Sequence, residues 1–123
     1  MLKDKKSGLL ERDYYYIREA AERDPAVETL ILFGSRALGT YKAGSDVDLA
    51  VKGAQVDRST ILGLSERLNE ALPLPYFFDV LEYDAIESEA LKDHIDRYGV
   101  VIYRKNSKHK AETFSVELVR EGN

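Results

Sequence analysis

The chain lacks cysteine and tryptophan altogether, and only three of its 123 residues are proline. Without cysteine it forms no disulfide, no thiolate metal site and no cysteine nucleophile. It also lacks an apolar run of about 18 residues, the length that a membrane-spanning helix needs. Its first residues, MLKDKKSG, do not form the apolar core of a secretory signal. We therefore expect a cytoplasmic protein that neither spans a membrane nor is secreted.

An excess of positive charge is also missing. Lysine and arginine number 18 against 22 acidic residues, which gives a net charge of −4 and argues against broad, charge-driven nucleic-acid binding. The length suits one domain with its own core. We assign residues 1–103 to that domain. Residues 104–123 hold five Lys/Arg against three Glu, and we expect a basic tail that is flexible or docks on a partner, with FSVELV as a possible short edge strand.

The spacing of apolar residues predicts the order helix, strand, loop, strand, helix, strand, helix, strand. Asp57 is the expected N-cap of the second helix and Pro73 its end. In the third helix we expect Tyr98 to face inwards and Gly99 to be the C′ residue. This order implies a layered α/β domain with a small sheet. The predicted helices are Leu9–Arg23, the segment from Asp57 to Leu72, and Ser88–Tyr98; the predicted strands are Val27–Phe33, Val47–Val51, Tyr76–Leu81 and Val100–Tyr103.

Three aspartates stand on predicted strands. Asp46 and Asp48 are two residues apart at the start of the second strand, so both side chains point to the same face. Asp79 lies within the otherwise apolar third strand. If the two strands are neighbours, three carboxylates converge on one patch. Alone, Asp46 and Asp48 would be read as a solvated turn, and Asp79 as a hydrogen-bonded core acid.

Converging carboxylates repel one another. At about 4 Å and an effective dielectric of 20, each ionised pair costs on the order of 4 kcal/mol. The patch must therefore hold a proton, a lysine or arginine, or a hard divalent cation. Few basic residues lie nearby in sequence, and oxygen ligands suit Mg²⁺, which binds through one or two carboxylates together with substrate phosphates.

A Gly-Ser turn precedes the aspartates. Gly34 and Ser35 follow the first predicted strand directly, and ten residues separate Ser35 from Asp46. Glycine lets a phosphate approach the backbone, serine adds a hydroxyl, and amides that open a helical turn favour anions. A phosphate-binding turn beside acids that hold metal is the equipment for phosphoryl or nucleotidyl transfer by two metal ions.

These residues resemble a known family. The pattern consists of Gly34-Ser35, ten residues, Asp46-x-Asp48 and a later Asp79. It is similar to the pattern of the minimal nucleotidyltransferases in the DNA polymerase β superfamily. The resemblance runs from about Glu11 to Tyr103. It implies a mixed sheet of about four strands flanked by helices, in an α/β (α+β) polymerase β-like core.

The resemblance also implies roles. Asp46 and Asp48 would bind two Mg²⁺ ions, and Asp79 would bind the ion that activates the attacking hydroxyl. Gly34 and Ser35 would hold the β and γ phosphates of ATP, the substrate. The expected reaction is in-line attack of a hydroxyl on the α-phosphorus with loss of pyrophosphate, and Asp79 is the possible proton acceptor.

Resemblance to the stand-alone members implies a partner. Such enzymes are typically encoded beside a helical HEPN protein that acts as an RNase toxin, and some transfer AMP to a tyrosine of that toxin. We therefore expect an antitoxin that binds and adenylylates a HEPN protein. Two alternatives stay open: a non-catalytic antitoxin that acts by complex formation, and a transferase for a small hydroxylated substrate such as an aminoglycoside.

Four further features have two interpretations each. Arg36 contacts a phosphate or the acidic patch, or else is a solvated surface residue. Ser45 hydrogen-bonds a phosphate or simply caps a turn. Within Tyr14-Tyr15-Tyr16, one or two rings are expected to face the core, in preference to stacking on a base. For His94 we expect a surface or half-buried position, because its neighbours offer no metal-ligand spacing.

Overall fold

The computed structural model of the chain describes residues 2–105 and 118–120. A π-helical turn at Arg67–Ala71 extends the helix that ends at Glu66, and a 3₁₀ turn at Tyr83–Ala85 follows the strand that ends at Glu82. The predicted order is confirmed from the first predicted helix to the last predicted strand, with a strand before it and a short helix at Ser35–Leu38 as additions. In chain order the elements are β1 (Leu2–Asp4), α1 (Glu11–Glu22), β2 (Thr29–Phe33), α2 (Ser35–Leu38), β3 (Val47–Lys52), α3 (Arg58–Glu66), β4 (Phe78–Glu82), α4 (Glu89–Tyr98), β5 (Val100–Arg104) and β6 (Leu118–Arg120).

The main sheet is mixed and has the strand order β4-β3-β2-β5. Strands β3 and β4 are parallel, whereas β2 runs antiparallel to both of its neighbours. The mixed four-stranded sheet implied by the resemblance is therefore confirmed. Because β3 is a central strand, its polar residues are placed by strand pairing on both sides.

Alternation along β3 divides the residues between two faces of the sheet. Val47, Leu49 and Val51 are fully buried in the larger core, against α1 and α3. Ala50 faces the other side and packs with Ile95 of α4 in a smaller cluster. Asp48 shares the face of Ala50, so the carboxylates lie on the side that α4 partly covers.

The second predicted helix is stabilised by a cap at its start and by buried leucines along one face. Asp57 caps it, since its carboxylate accepts a hydrogen bond from the Thr60 amide at 3.0 Å. Leu64 and Leu68 are fully buried one turn apart. Each fully buried leucine contributes about 1.5–3 kcal/mol of transfer free energy. Pro73 follows the π-helical turn at Arg67–Ala71, where the predicted helix ends.

The end of α4 differs from the prediction in two ways. Tyr98 is 52% exposed, so the inward position expected for it is wrong. Gly99 has φ −65° and ψ 145°, an extended conformation and not the left-handed one typical of a C′ glycine. Glycine is needed there for space, because a Cβ atom would collide with the Ile95 carbonyl and the Ile31 side chain. The chain thus enters β5 without a left-handed residue.

The N-terminal strand β1 was not predicted, because three residues carry no periodic signal. It pairs antiparallel with β6, and Leu2 lies opposite Arg120. The expected edge strand in FSVELV corresponds in part to β6. Of the tail expected at residues 104–123, residues 106–117 and 121–123 lie outside the described residues. Among the residues that the structure describes, no helix is long and apolar enough to cross a membrane.

Tyr14 connects β1 to helix α1. Its ring is 2% exposed, as expected for one member of the tyrosine triplet, whereas Tyr15 is 61% exposed. The Tyr14 hydroxyl donates to the Asp4 carboxylate at 2.6 Å, and the Ser7 hydroxyl donates to the same oxygen at 2.7 Å. A buried polar network therefore holds the N-terminal segment against α1.

Candidate active site

Strand register brings the predicted carboxylates together. Asp48 on β3 lies directly opposite Asp79 on the parallel strand β4. Asp46 precedes β3 by one residue and shares the face of Asp48. The Val47 amide donates to the Phe77 carbonyl at 2.9 Å, which ties the two strand starts together at this point. The three aspartates thus lie at one end of the β3–β4 pair.

The cluster is electrostatically unfavourable by itself. Asp48 is half-buried, whereas Asp46 and Asp79 are exposed. Burial raises the pKa of Asp48, and so do the negative charges of Asp79 and Asp46. In the described part of the chain, none of the three carboxylates forms an ion pair with a lysine or arginine. The sequence left three ways to offset this repulsion: a proton, a lysine or arginine, or a divalent cation. Without a lysine or arginine partner, a proton or a divalent cation remains.

The donor chemistry of this cluster fits Mg²⁺. Its ligand atoms are carboxylate oxygens that lack a basic partner, and Mg²⁺ prefers such oxygens. Within residues 2–105 and 118–120, however, no three acidic or histidine side chains are already gathered closely enough to hold a metal ion. The carboxylates lie at one edge without closing on a common point, and ion binding requires side-chain adjustment.

Gly34 forms the turn beside this cluster. It has φ 75° and ψ −155°, a conformation that only glycine adopts readily. A Cβ atom at Gly34 would collide with the Asp48 carboxylate, so the glycine makes room for the acid. Ser35 follows as the first residue of α2, and its side chain is half-buried. Glycine at position 34 therefore lets the turn lie close beside the Asp48 carboxylate.

Arg36 is not a solvated surface residue. It is 4% exposed, and its guanidinium donates to the carbonyl of Ser7 at 2.7 Å and to that of Ser45 at 3.1 Å. The same guanidinium lies 4.9 Å from the ring centroids of Tyr41 and Tyr76. These contacts occupy Arg36 within the protein. It connects the Gly34-Ser35 turn to Ser45, the residue before Asp46. Its assignment to nucleotide binding stays a prediction without support from these contacts.

Ser45 fits the capping alternative. Its hydroxyl accepts a hydrogen bond from the Lys42 amide at 2.8 Å, and the Ser45 amide donates to the Lys42 carbonyl at 2.9 Å. These two bonds close the turn that leads into Asp46. The hydroxyl therefore shapes the loop, and contact between Ser45 and a phosphate stays a prediction.

His94 contributes to the site although the sequence offered no signal for it. The side chain is half-buried, as expected, and its Nε2 atom accepts a hydrogen bond from the Gly34 amide at 3.0 Å. The two positions are 60 apart in sequence. Only the packing of α4 on the sheet reveals the contact.

Asn69 is a second residue that sequence reasoning missed. Its side chain accepts from the Phe78 amide at 2.7 Å and donates to the Phe78 carbonyl at 2.9 Å. The Asn69 side chain thus makes the backbone hydrogen bonds that a neighbouring strand would make at the outer edge of β4, next to Asp79. It lies in the π-helical turn Arg67–Ala71, and such turns are frequent at functional sites.

Known proteins share this architecture. A crystal structure described as a toxin–antitoxin with AMP-PNP has 24% sequence identity and a TM-score of 0.63, and the alignment covers 76% of this chain and 74% of that one. A tri-AMPylated HEPN toxin of Shewanella oneidensis in complex with an MNT antitoxin gives 21% identity, a TM-score of 0.59 and coverages of 76% and 71%. A mutant MntA–HpeT toxin–antitoxin complex gives 24% identity, a TM-score of 0.59 and coverages of 80% and 75%.

At these identities the likeness shows a common fold. A comparison with curated proteins gives no significant match. The family comparison is decisive: residues 16–108, most of the chain, match the family model described as polymerase beta, nucleotidyltransferase. That interval contains the Gly34-Ser35 turn and all three aspartates. The chain therefore belongs to the polymerase β nucleotidyltransferase family.

Proposed function

We propose that this nucleotidyltransferase transfers AMP from ATP to a tyrosine hydroxyl of a HEPN-domain toxin, for which it is the antitoxin. The observation that carries the proposal is the placement of Asp48 opposite Asp79 and against the Gly34 turn. Two of the similar structures support the choice of nucleotide and acceptor, since one is described with AMP-PNP and another with an AMPylated HEPN toxin.

The chain's residues divide the work. Asp46, Asp48 and Asp79 would hold Mg²⁺, which neutralises phosphate charge and increases the acidity of the attacking hydroxyl. The Gly34-Ser35 turn would hold the phosphates, to which Ser35 offers a hydroxyl. The acceptor oxygen forms a bond to the α-phosphorus, and the bond from that phosphorus to the bridging oxygen of pyrophosphate breaks. Asp79, which is exposed, would accept the hydroxyl proton.

Label transfer tests the proposal. Purified protein is incubated with ATP labelled at the α-phosphate, Mg²⁺ and the HEPN protein encoded beside it. We expect label on the partner with the wild type and none with the Asp46→Asn/Asp48→Asn double variant. Asp84→Asn, which removes an exposed charge outside the cluster, is the matched control and should transfer normally.

The two alternatives predict different results. An intact complex without label, combined with neutralisation by the double variant, would contradict catalysis and favour an antitoxin that acts by binding. Label that appears only on an added hydroxylated small molecule would contradict the protein acceptor while leaving nucleotidyl transfer in place.

A further inference from the structure

The Gly34 amide lies where strand pairing ends. Phe33 opposite Asp48 is the last registered pair of β2 and β3. Gly34 follows, and its amide donates to His94 Nε2 at 3.0 Å. A backbone donor at a strand end requires some partner. Here a side chain from α4 supplies it, on the sheet face that carries the carboxylates.

The imidazole of His94 is held in place by its neighbours. Its ring centroid lies 6.1 Å from that of Phe33, nearly edge-on at 74°, and 5.6 Å from that of Tyr98. The next residue, Ile95, is 2% exposed and anchors α4 on the sheet beside Phe33 and Ala50. Since Nε2 accepts a hydrogen bond, the neutral ring carries its proton on Nδ1.

Gly34 is thus constrained from two sides. His94 holds its amide, and the Asp48 carboxylate occupies the space that a Cβ atom would need. The peptide between Phe33 and Gly34 has little freedom to rotate, because rotation would break the bond to His94. The orientation of this peptide sets the direction in which the chain enters Ser35.

We infer that His94 is a positioning residue for nucleotide binding, which fixes the Phe33–Gly34 peptide so that the Gly34-Ser35 turn faces the phosphates beside Asp48. The inference rests on the proposed function, since it takes the turn as the phosphate site. His94 acts through Gly34 and has no chemical step of its own. It sets the affinity for the nucleotide more than the rate of transfer.

Two substitutions separate the hydrogen bond from the ring. His94→Phe keeps an aromatic ring between Phe33 and Tyr98 but removes the acceptor. His94→Gln offers an amide oxygen that can accept the Gly34 amide proton. We expect His94→Phe to raise the Kd for a non-hydrolysable ATP analogue with Mg²⁺ about tenfold, which is equivalent to about 1.4 kcal/mol. His94→Gln should stay within about threefold of the wild type, and the maximal transfer rate should change less than the Kd in both.

Hydrogen exchange of the Gly34 amide provides a readout that needs no nucleotide. In the free protein, His94→Phe should accelerate this exchange about tenfold, and His94→Gln should restore most of the protection. Tyr98→Leu is the control for packing, because it removes an exposed ring that contacts His94 but leaves the acceptor. It should lower the Tm and leave the Kd unchanged.

Equal loss of affinity in the Phe and Gln variants would overturn the inference, because the acceptor would then not matter. A Kd within twofold of the wild type in His94→Phe would also overturn it. If the wild type binds no nucleotide, the proposed function fails. In that case accelerated Gly34 exchange in His94→Phe would still establish His94 as the residue that holds the turn, and unchanged exchange would remove that role too.

Discussion

Among single residues, Asp48 is the one whose placement lowers the stability of the fold while serving the candidate site. The carboxylate is half-buried, faces Asp79 and abuts Gly34, yet in the described residues it has no basic partner. A group that served only stability would not be placed this way, because burying an uncompensated charge is unfavourable. The placement is favourable only when a cation or a proton is present.

The raised pKa of Asp48 gives stability a definite dependence on pH. A carboxyl with a higher pKa in the folded than in the unfolded state contributes stability below the ordinary aspartate pKa. That contribution is lost as the pH rises through the raised value. Asp48→Asn, which stays neutral, should therefore be more stable than the wild type at neutral pH in a chelator, and the advantage should vanish at acidic pH.

Urea denaturation across a pH series in chelator measures this difference. Added Mg²⁺ should stabilise the wild type and not Asp48→Asn, because a ligand that binds only the folded state raises its stability. A wild type more stable than the variant at neutral pH without metal would contradict the account.

Gly34 and Gly44 form a matched pair for a second prediction. Both have positive φ, 75° and 85°, but a Cβ atom would collide with Asp48 at the first and meet nothing within 4 Å at the second. Gly34→Ala should lower the free energy of unfolding by about 2–3 kcal/mol and abolish nucleotide binding. Gly44→Ala should cost less and leave binding unchanged. Chemical denaturation and calorimetric titration with ATP measure both, and equal effects of the two substitutions would contradict the proposed contact.

At the scale of elements, the site depends on how strand β4 is held at its open edge. Asn69 makes two hydrogen bonds with the Phe78 backbone and so replaces a missing strand beside Asp79. The π-helical turn Arg67–Ala71 brings Asn69 to this position. An irregular turn after one helix thereby holds the backbone of Phe78, the strand residue before Asp79.

Asn69→Leu should therefore lower the rate of AMP transfer about tenfold while the Kd for ATP stays within about twofold, because Gly34 and Ser35 are untouched. Ser65→Ala is the matched control, since it removes only the other hydrogen bond of Asn69, to the Ser65 hydroxyl at 3.2 Å. Steady-state transfer kinetics and titration measure the two quantities. A rise in the Kd with an unchanged rate would contradict the assignment.

Elements were predicted better from the sequence than the contacts between them. The periodicity of Leu64 and Leu68 and the cap at Asp57 are local signals, and they placed α3 correctly. The spacing of Asp46 and Asp48 predicted that both side chains point to one face, although Asp46 lies one residue before β3. The contact of His94 with Gly34 and that of Asn69 with Phe78 depend instead on tertiary packing, which no local spacing encodes.

At the scale of the whole molecule, Arg36 connects segments that are far apart in sequence. Its guanidinium reaches the carbonyls of Ser7 and Ser45 and lies between the rings of Tyr41 and Tyr76. The Tyr76 hydroxyl in turn donates to the buried Asp13 of α1 at 2.6 Å, which together with burial raises the pKa of Tyr76. The N-terminal segment, the Gly34-Ser35 turn and the loop before Asp46 are therefore held as one unit.

Arg36→Lys should lower both the free energy of unfolding, by about 1–3 kcal/mol, and the rate of transfer, because an ammonium cannot replace the planar fork between two carbonyls and two rings. Tyr41→Phe, which keeps the ring, should change neither. Denaturation and transfer assays on the two variants test this prediction. An Arg36→Lys protein of normal stability with a raised Kd for ATP would contradict it and favour direct phosphate contact instead.

With no cysteine in the chain, we assign its chemistry to the carboxylates of Asp46, Asp48 and Asp79. We propose that these carboxylates support the transfer of AMP to a partner protein. The most direct measurement is mass spectrometry of the HEPN protein after incubation with ATP, Mg²⁺ and either the wild type or Asp48→Asn. We expect an adenylyl group on a tyrosine of the partner with the wild type and an unmodified partner with the variant. An unmodified partner with both, in a verified complex, would contradict it.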